Sequence, residues 1–163
     1  TMEVLPAKVF GHGLEVICRL KAVGSFRRRY GEYIEEGADL PAYVETTFKN
    51  DALGDPLIND HHAVAVGAAT YDELKTIYDL TGRINELLKD LFDKINVKLV
   101  DFKIEFGKTS DGQIVLADEI SPDTCRLWDK DTNKKLDKDR FRRDLGDVIG
   151  AYKEIESRLQ TLK

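Results

Sequence analysis

Cysteine, proline and long apolar runs are all scarce in this sequence. Its 163 residues include 2 cysteines and 4 prolines. Cys18 and Cys125 lie far apart in a chain long enough to fold around its own core, so neither a disulfide framework nor a cysteine-based zinc site is indicated. A reducing, cytoplasmic compartment is therefore expected. The longest uncharged stretch, roughly residues 61–71, falls short of the ~20 apolar residues that span a bilayer, which predicts no membrane partner.

Charge of both signs is abundant. Charged residues make up 34% of the sequence and hydrophobic residues 42%, with a formal net charge of -5. This composition is typical of a soluble globular domain and excludes the disordered and low-complexity classes. The acidic balance argues against a general nucleic-acid binder, so no nucleic-acid partner is expected. No internal repeat and no flexible linker divides the chain.

Two segments have the apolar spacing of amphipathic helices. A capping box at residues 70–73 is followed by apolar residues at steps of three and four, which predicts a long helix. Residues 138–162 repeat the pattern and predict a second long helix, with Phe141, Leu145 and Ile149 on its core face. Both helices are interpreted as scaffold.

Between these helices the pattern changes to that of a β-hairpin. Residues 99–107 alternate between apolar and charged side chains, a polar turn follows, and residues 113–119 are predicted to return as the second strand. Alternation places Asp101, Lys103 and Glu105 on one face of the first strand. A solvated sheet face would show the same alternation, so this alternative stays open.

The end of the second hairpin strand favours a metal site over a solvated face. Asp118 and Glu119 arrive there, close to a lysine and two further acids. Clustered carboxylates repel one another unless a cation neutralises them, and oxygen ligands on rigid strands suit Mg²⁺ when phosphate oxygens complete its shell. Spacing does not define the hairpin register, so either Asp118 or Glu119 could join that face.

A candidate anion site lies earlier in the chain. The strand predicted at residues 14–20 leads to Gly24 and Ser25, where a short helix is expected to begin. Unpaired N–H groups in its first turn could hold a phosphate or a carboxylate beside Arg19, although an ordinary capped turn is the alternative. The polar stretch at residues 49–56 has a similar ambiguity, because ligand-binding loops and surface turns use the same residue types.

Three motifs together resemble the SAICAR (phosphoribosylaminoimidazole-succinocarboxamide) synthetase family of purine biosynthesis. Residues 99–107 contain the family's Asp-x-Lys-x-Glu-Phe-Gly signature, residues 118–129 match a second long motif, and residues 14–25 match a third. Gly13 stands where a proline is common, and Val23 where alanine or threonine is usual. The family also has an N-terminal lobe whose lysine-bearing strand pair covers the ATP phosphates, which the residues before the first motif are too few to supply.

The resemblance implies an α+β fold, the second lobe of an ATP-grasp-like enzyme, with a mainly antiparallel sheet flanked by two long helices. Residues 1–13 are interpreted as a hinge segment that leads from a missing N-terminal lobe. Residues 14–163 are interpreted as the C-terminal, substrate-binding domain.

The resemblance further implies an ATP-dependent ligase that joins L-aspartate to the carboxylate of carboxyaminoimidazole ribonucleotide, with Mg²⁺ as a cofactor. A carboxylate is a poor acyl donor, so ATP first converts it to an acyl phosphate, which the amine of aspartate attacks. A truncated lobe that binds the ribonucleotide without catalysing the reaction is the alternative. A homo-oligomer is also compatible with the sequence.

Residues that match the family's motifs receive the family's roles. Lys103 is assigned the stabilisation of charge near the carboxylate under attack, and Asp101 the orientation of Lys103 or of the imidazole amine. Glu105 and Asp118 are assigned as Mg²⁺ ligands. The substrate-binding set consists of Arg19, Gly24, Ser25 and Arg126 around the ribonucleotide phosphate, with Lys49, Asp51 and Asp55 bordering the pocket.

Overall fold

The strands are 2 to 12 residues long and the α-helices 4 to 24 residues long in the described part of the chain. The computed structural model describes residues 3–162, so Thr1 and Met2 of the predicted hinge segment and Lys163 of the predicted domain lie outside the described residues. The strands are β1 (Lys8–Val9), β2 (Leu14–Lys21), β3 (Asp39–Phe48), β4 (Leu57–Ile58), β5 (Val97–Lys108), β6 (Ile114–Leu116) and β7 (Cys125–Asp129). The helices are α1 (Gly24–Tyr30), α2 (Asp60–Ala65), α3 (Tyr71–Lys94), α4 (Asp139–Arg142) and α5 (Val148–Gln160).

Strand β5 has the largest number of strand neighbours. The strands follow the order β1-β5-β2-β3-β4, and β6 and β7 also pair with β5. Its pairings with β1, β6 and β7 are antiparallel, as is the pairing of β3 with β4. The α+β class, the antiparallel sheet and the β5–β6 hairpin are therefore confirmed, whereas the ATP-grasp-like assignment stays a prediction. Strand β6 is shorter than expected and ends at Leu116.

Contacts within the chain define two compact units. The first contains the residues up to Ile17, Val44–Ile84 and Lys103–Glu119, and the second contains Cys18–Tyr43, Asn85–Phe102 and the residues from Ile120 onward. In the first unit the C-terminal half of β5 pairs with β1 and β6. In the second, its N-terminal half pairs with β7 and has a register shift between Leu99 and Asp101. The division into a hinge and a C-terminal domain at residue 13 stays a prediction.

Helix α3 confirms the first predicted helix. Its capping box is formed, because Thr70 N–H donates to Glu73 at 2.8 Å and Glu73 N–H donates to the Thr70 hydroxyl at 3.2 Å. Its buried residues recur at helical spacing and include Leu74, Ile77, Thr81, Asn85, Leu88 and Phe92. Between residues 3 and 162, every helix falls short of the length and apolarity needed to cross a membrane.

The second predicted helix is wrong as a single element. The chain forms α4, then a turn, and then α5, which has 13 residues. Gly146 has φ of 66° and Asp147 has φ of 49°, a left-handed conformation that no continuous α-helix can contain. The Asp147 carboxylate then caps α5 by accepting a hydrogen bond from Gly150 N–H at 3.2 Å. Phe141 and Ile149 are each 72% exposed and Leu145 is 47% exposed, so the predicted core face is also wrong at these positions.

Asp129 connects the end of β7 to helix α5 in the second unit. Its Oδ1 accepts hydrogen bonds from Thr132 N and Oγ1, each at 2.8 Å. Its Oδ2 accepts from Arg158 Nη2 at 2.7 Å. The backbone N–H of Thr132, followed by Arg158 and the Thr132 hydroxyl, holds the pKa of Asp129 far below its usual value.

Replacement of this carboxylate should lower stability at neutral pH and matter less in acid. We expect Asp129→Asn to lower the free energy of unfolding at pH 7 by about 2 kcal/mol, because hydrogen bonds to a charged acceptor are lost. Because the pKa of Asp129 is lower in the folded state, ionised Asp129 stabilises the protein when the pH is above the unfolded-state pKa of 3.8. This stabilisation is lost as the pH falls below 3.8 and the carboxylate is protonated. Urea unfolding from pH 7 to the lowest pH at which both proteins fold should show the difference shrinking.

The exposed Lys75–Asp79 pair on α3 supplies the control for this experiment. Asp79 is 67% exposed, so Asp79→Asn should change stability by less than about 1 kcal/mol across the same range. A difference between wild type and Asp129→Asn that stays constant with pH would contradict the electrostatic account.

Candidate functional site

Two arginines around one buried aspartate form the centre of the candidate anion site in the second unit. Asp101 is 3% exposed, and its Oδ2 accepts from Arg19 Nη1 at 2.8 Å and from Arg126 Nη1 at 2.7 Å. Arg19 Nη2 also donates to Ser25 Oγ at 2.7 Å. Arg126 Nε donates to Asp139 Oδ2 at 2.9 Å. The structure therefore brings together four residues that the sequence analysis placed in the site.

Strand pairing explains why these side chains meet. Arg19 lies on β2, Asp101 on β5 and Arg126 on β7, and β5 is hydrogen-bonded to both of the other strands. Gly24 opens α1 with φ of 55°, and a Cβ atom there would lie 2.7 Å from Arg126 Nη2. Glycine is thus required at this position both for its conformation and for the close approach of the guanidinium group. Ser25 lies in the first turn of α1, where Val23 is the N-cap residue.

The surroundings of Arg126 determine which of its donors face a ligand. Burial alone would lower the pKa of Arg126, but the charges of Asp101 and Asp139 outweigh burial and raise it, so the group is a permanent cation. Its Nε and Nη1 atoms donate to these two carboxylates. Its Nη2 atom makes no hydrogen bond to residues 3–162. This atom lies beside Gly24, at the start of α1.

Two lysine–glutamate pairs in the first unit contain the predicted catalytic lysine and one predicted metal ligand. Lys103 Nζ donates to Glu15 Oε1 at 2.5 Å, and Lys49 Nζ donates to Glu105 Oε1 at 2.8 Å. The side chains of Glu15 and Glu105 are only 4% and 11% exposed, whereas those of Lys103 and Lys49 are 40% and 57% exposed. With Glu105 and Asp101 both buried, the alternative of a solvated sheet face is excluded.

The hairpin register places Asp118 near the second of these pairs. The β5–β6 ladder ends at Leu116, after which Ala117 N–H donates to the Glu105 carbonyl at 2.9 Å. Glu105 raises the pKa of Lys49 through its hydrogen bond and its charge. Burial lowers this pKa, and the charges of Glu15 and Asp118 raise it further. Asp118 therefore lies within electrostatic reach of the Lys49 ammonium group.

The side chains near Glu105 offer few ligands for a metal ion. No group of three His, Cys, Asp or Glu side chains in the described part of the chain could hold a metal by itself. Mg²⁺ commonly takes only one or two protein carboxylates and completes its shell with water and phosphate oxygens. Glu105 and Asp118 would supply carboxylates for a site of this smaller kind.

Gly13 allows Lys49 to reach Glu105. Lys49 N–H donates to the Gly13 carbonyl at 3.0 Å, and a Cβ atom on Gly13 would lie 3.0 Å from Lys49 Cβ and 3.5 Å from its Cδ. The aliphatic part of the lysine side chain therefore passes directly over the glycine.

The loop after β3 contains the remaining predicted residues. Lys49 lines a cavity of about 550 Å³ together with Lys8, His12, Asn50 and other residues of the first unit. Asp51 begins a 3₁₀ turn, and Asp55 accepts a hydrogen bond from Asn50 N–H at 2.9 Å. The lining of this cavity includes neither Asp51 nor Asp55.

Three polar residues that were not predicted hold the predicted ones in place. Glu15 binds Lys103, Thr47 donates to Glu15 Oε2 at 3.0 Å, and Asp139 binds Arg126. One signal for Glu15 was present, because an acid between Leu14 and Val16 in an apolar strand has to find a cation when it is buried. Thr47 and Asp139 carried no comparable signal.

Comparisons with known proteins agree with the motifs. A sequence profile of the SAICAR synthetase family matches residues 2–159. The phosphoribosylaminoimidazole-succinocarboxamide synthase of Fusobacterium nucleatum subsp. nucleatum is 63% identical over 151 residues, which cover 92% of this chain and 63% of that protein.

Solved structures give the same relationship. A structure of SAICAR synthetase in complex with ADP has a TM-score of 0.88 at 49% identity, over 94% of this chain and 64% of that one. SAICAR synthetase from Pyrococcus horikoshii OT3 has a TM-score of 0.88 at 48% identity, over 96% and 67%. The chain thus spans about two thirds of the length of the relatives that it matches.

Loss of the Asp101 charge should destabilise the protein strongly. Asp101→Asn would leave the largely buried guanidinium groups of Arg19 and Arg126 without their shared counter-ion. We expect a loss of about 3 kcal/mol in the free energy of unfolding, measured by urea denaturation. Asp39→Asn is the matched control, because Asp39 pairs with Lys21 at the surface and is 89% exposed. Equal, small losses in both variants would contradict the role of Asp101.

Proposed function

Because this chain belongs to the SAICAR synthetase family, we propose that it functions in an ATP-dependent ligase that joins L-aspartate to the carboxylate of carboxyaminoimidazole ribonucleotide. The observation that carries the proposal is the cluster of Arg19, Arg126 and Ser25 around one buried carboxylate. Guanidinium groups that are already fixed in position lose little conformational entropy when they bind a phosphate.

In this proposal the second unit binds the 5′-phosphate of the ribonucleotide. Arg126 Nη2 and the Ser25 hydroxyl are the donors directed to the ligand, with the N–H groups next to Gly24 adding to them. Asp101 keeps both arginines in place and reduces the repulsion between the two cations.

The first unit supplies the groups for phosphoryl transfer. Lys103 holds an ammonium group, with donors left for phosphate oxygens, beside the buried Glu15. Developing negative charge on the transferred group is stabilised by such a fixed cation. Glu105 and Asp118 would hold Mg²⁺, which would supply neutralisation of the phosphate charge.

Aspartate needs a cationic subsite of its own, and the cavity beside Lys49 suits this need. Lys49, Lys8 and Asn50 offer positively charged and neutral donors to a dicarboxylate. The cavity volume of about 550 Å³ is ample for an amino acid. The amine of aspartate would attack the acyl carbon of the acyl phosphate, and the amide would form as the C–O bond breaks and inorganic phosphate leaves.

Ribonucleotide binding and turnover together test the proposal. Calorimetry with carboxyaminoimidazole ribonucleotide should show binding that Ser25→Ala weakens by roughly ten-fold, the loss of one hydrogen bond to a charged group. Arg28→Gln, at an exposed position of α1, is the control and should bind normally. ADP release from ATP and Mg²⁺ should require both the ribonucleotide and aspartate. Binding without turnover would favour the binding-lobe alternative, and equal binding by Ser25→Ala would contradict the phosphate site.

Lys49 should compete with a divalent cation for Glu105. The ammonium group lies 2.8 Å from the carboxylate, so a metal ion at Glu105 has to displace it. We expect Lys49→Met to tighten the binding of Mn²⁺, used as a paramagnetic probe, by up to about five-fold, since the lysine end of the lost pair is 57% exposed. Glu105→Gln and Asp118→Asn should weaken it. Weaker Mn²⁺ binding by Lys49→Met would contradict this competition.

A further inference from the structure

Glu15 is a buried carboxylate to which the proposed reaction assigns no role. It lies on β2 between Leu14 and Val16, and its side chain is 4% exposed. An isolated carboxylate at such a place would be strongly unfavourable, because it loses its hydration. Its two oxygens therefore need partners from the neighbouring strands.

Each oxygen of Glu15 has a donor on a different strand. Oε1 accepts from Lys103 Nζ on β5 at 2.5 Å, and Oε2 accepts from Thr47 Oγ1 on β3 at 3.0 Å. Strand β2 lies between β5 and β3 in the sheet. The Thr47 side chain is buried, and a β-branched residue has few rotamers available. The bond from Thr47 thus fixes the plane of the carboxylate that binds Lys103.

A lysine ammonium group needs such a support to act at a defined point. Its four-carbon stem has several rotatable bonds, and the Lys103 side chain is 40% exposed. A single bond to Glu15 uses one of its three N–H donors, so two remain for a ligand. In the described part of the chain, Glu15 is the acceptor that the ammonium group binds.

We propose that Glu15, braced by Thr47, is a positioning residue that holds the Lys103 ammonium group where it meets the phosphate oxygens. This inference rests on the proposed function of Lys103. The Glu15 end of the pair is fixed in the interior, since its side chain is 4% exposed and accepts from Thr47. The partial exposure of Lys103 also means that the pair remains open to a ligand.

Lysine ammonium groups can be observed directly by NMR, which gives a test without turnover. The ¹⁵N relaxation order parameter of the Lys103 ammonium group should be high in the wild-type protein and fall by about half in Glu15→Gln, to the level of a flexible group. Glutamine keeps the shape and can still accept from Thr47, so the fold should persist. Glu73→Gln is the matched control, since it removes the carboxylate partner of Lys108, another β5 lysine, and should leave Lys103 unchanged.

Pyrophosphate serves as the probe for the ligand. Its addition should shift the Lys103 ammonium signal of the wild-type protein, and Glu15→Gln should weaken this binding by roughly five-fold, which corresponds to about 1 kcal/mol. Absence of a shift in the wild-type protein would overturn the proposed function of Lys103. A Lys103 ammonium group that stays rigid in Glu15→Gln would instead overturn the role of Glu15.

Thr47→Val provides a second variant if Glu15→Gln fails to fold. It keeps the ion pair and the shape of the side chain while it removes the brace. We expect a smaller fall in the Lys103 order parameter and a roughly two-fold weaker response to pyrophosphate. Unchanged mobility and unchanged pyrophosphate binding in Thr47→Val would overturn the proposed brace.

Discussion

Every carboxylate that β5 and β2 bury at the candidate site lies against a cation. An unpaired charge in the interior would cost several kcal/mol, so these pairs have to form together with the sheet. Asp101 binds two arginines, Glu15 binds Lys103 and Glu105 binds Lys49. Because Arg19, Arg126 and Lys103 lie on strands adjacent to those of their carboxylates, a register slip of one residue would turn these partners to opposite faces. The polar pairs thus select the register that the apolar residues also favour.

The two units use different cations, and this difference suits different tasks. In the second unit, Arg19 and Arg126 bind through planar guanidinium forks that make several hydrogen bonds at once. Such groups are well suited to the recognition of a phosphate in a fixed orientation. In the first unit, the side chains of Lys49 and Lys103 are more exposed, at 57% and 40%. An ammonium group that can exchange one anion for another is better suited to a site where charge moves during a reaction.

Elements with a complete local signal were predicted correctly. Helix α3 has a capping box and an apolar stripe, and the β5–β6 hairpin has strict alternation followed by a polar turn. The segment after residue 138 has the same apolar spacing but breaks at Gly146 and Asp147. Aspartate and glycine adopt the left-handed conformation at little cost, and an aspartate that caps a following helix gains a hydrogen bond. Apolar periodicity does not depend on these backbone effects, so it predicted one helix where the chain forms two.

Motifs and alternation were sufficient to name the family and most of the charged residues, because each strand carries its own pattern of side chains. They were not sufficient to say that Lys103 binds Glu15, or that Lys49 crosses Gly13 to reach Glu105. Those contacts join residues that are far apart in the chain, and they depend on strand order and register. Only the folded sheet sets both, since the free energy of burying each charge is decided by the neighbour that the adjacent strand brings to it.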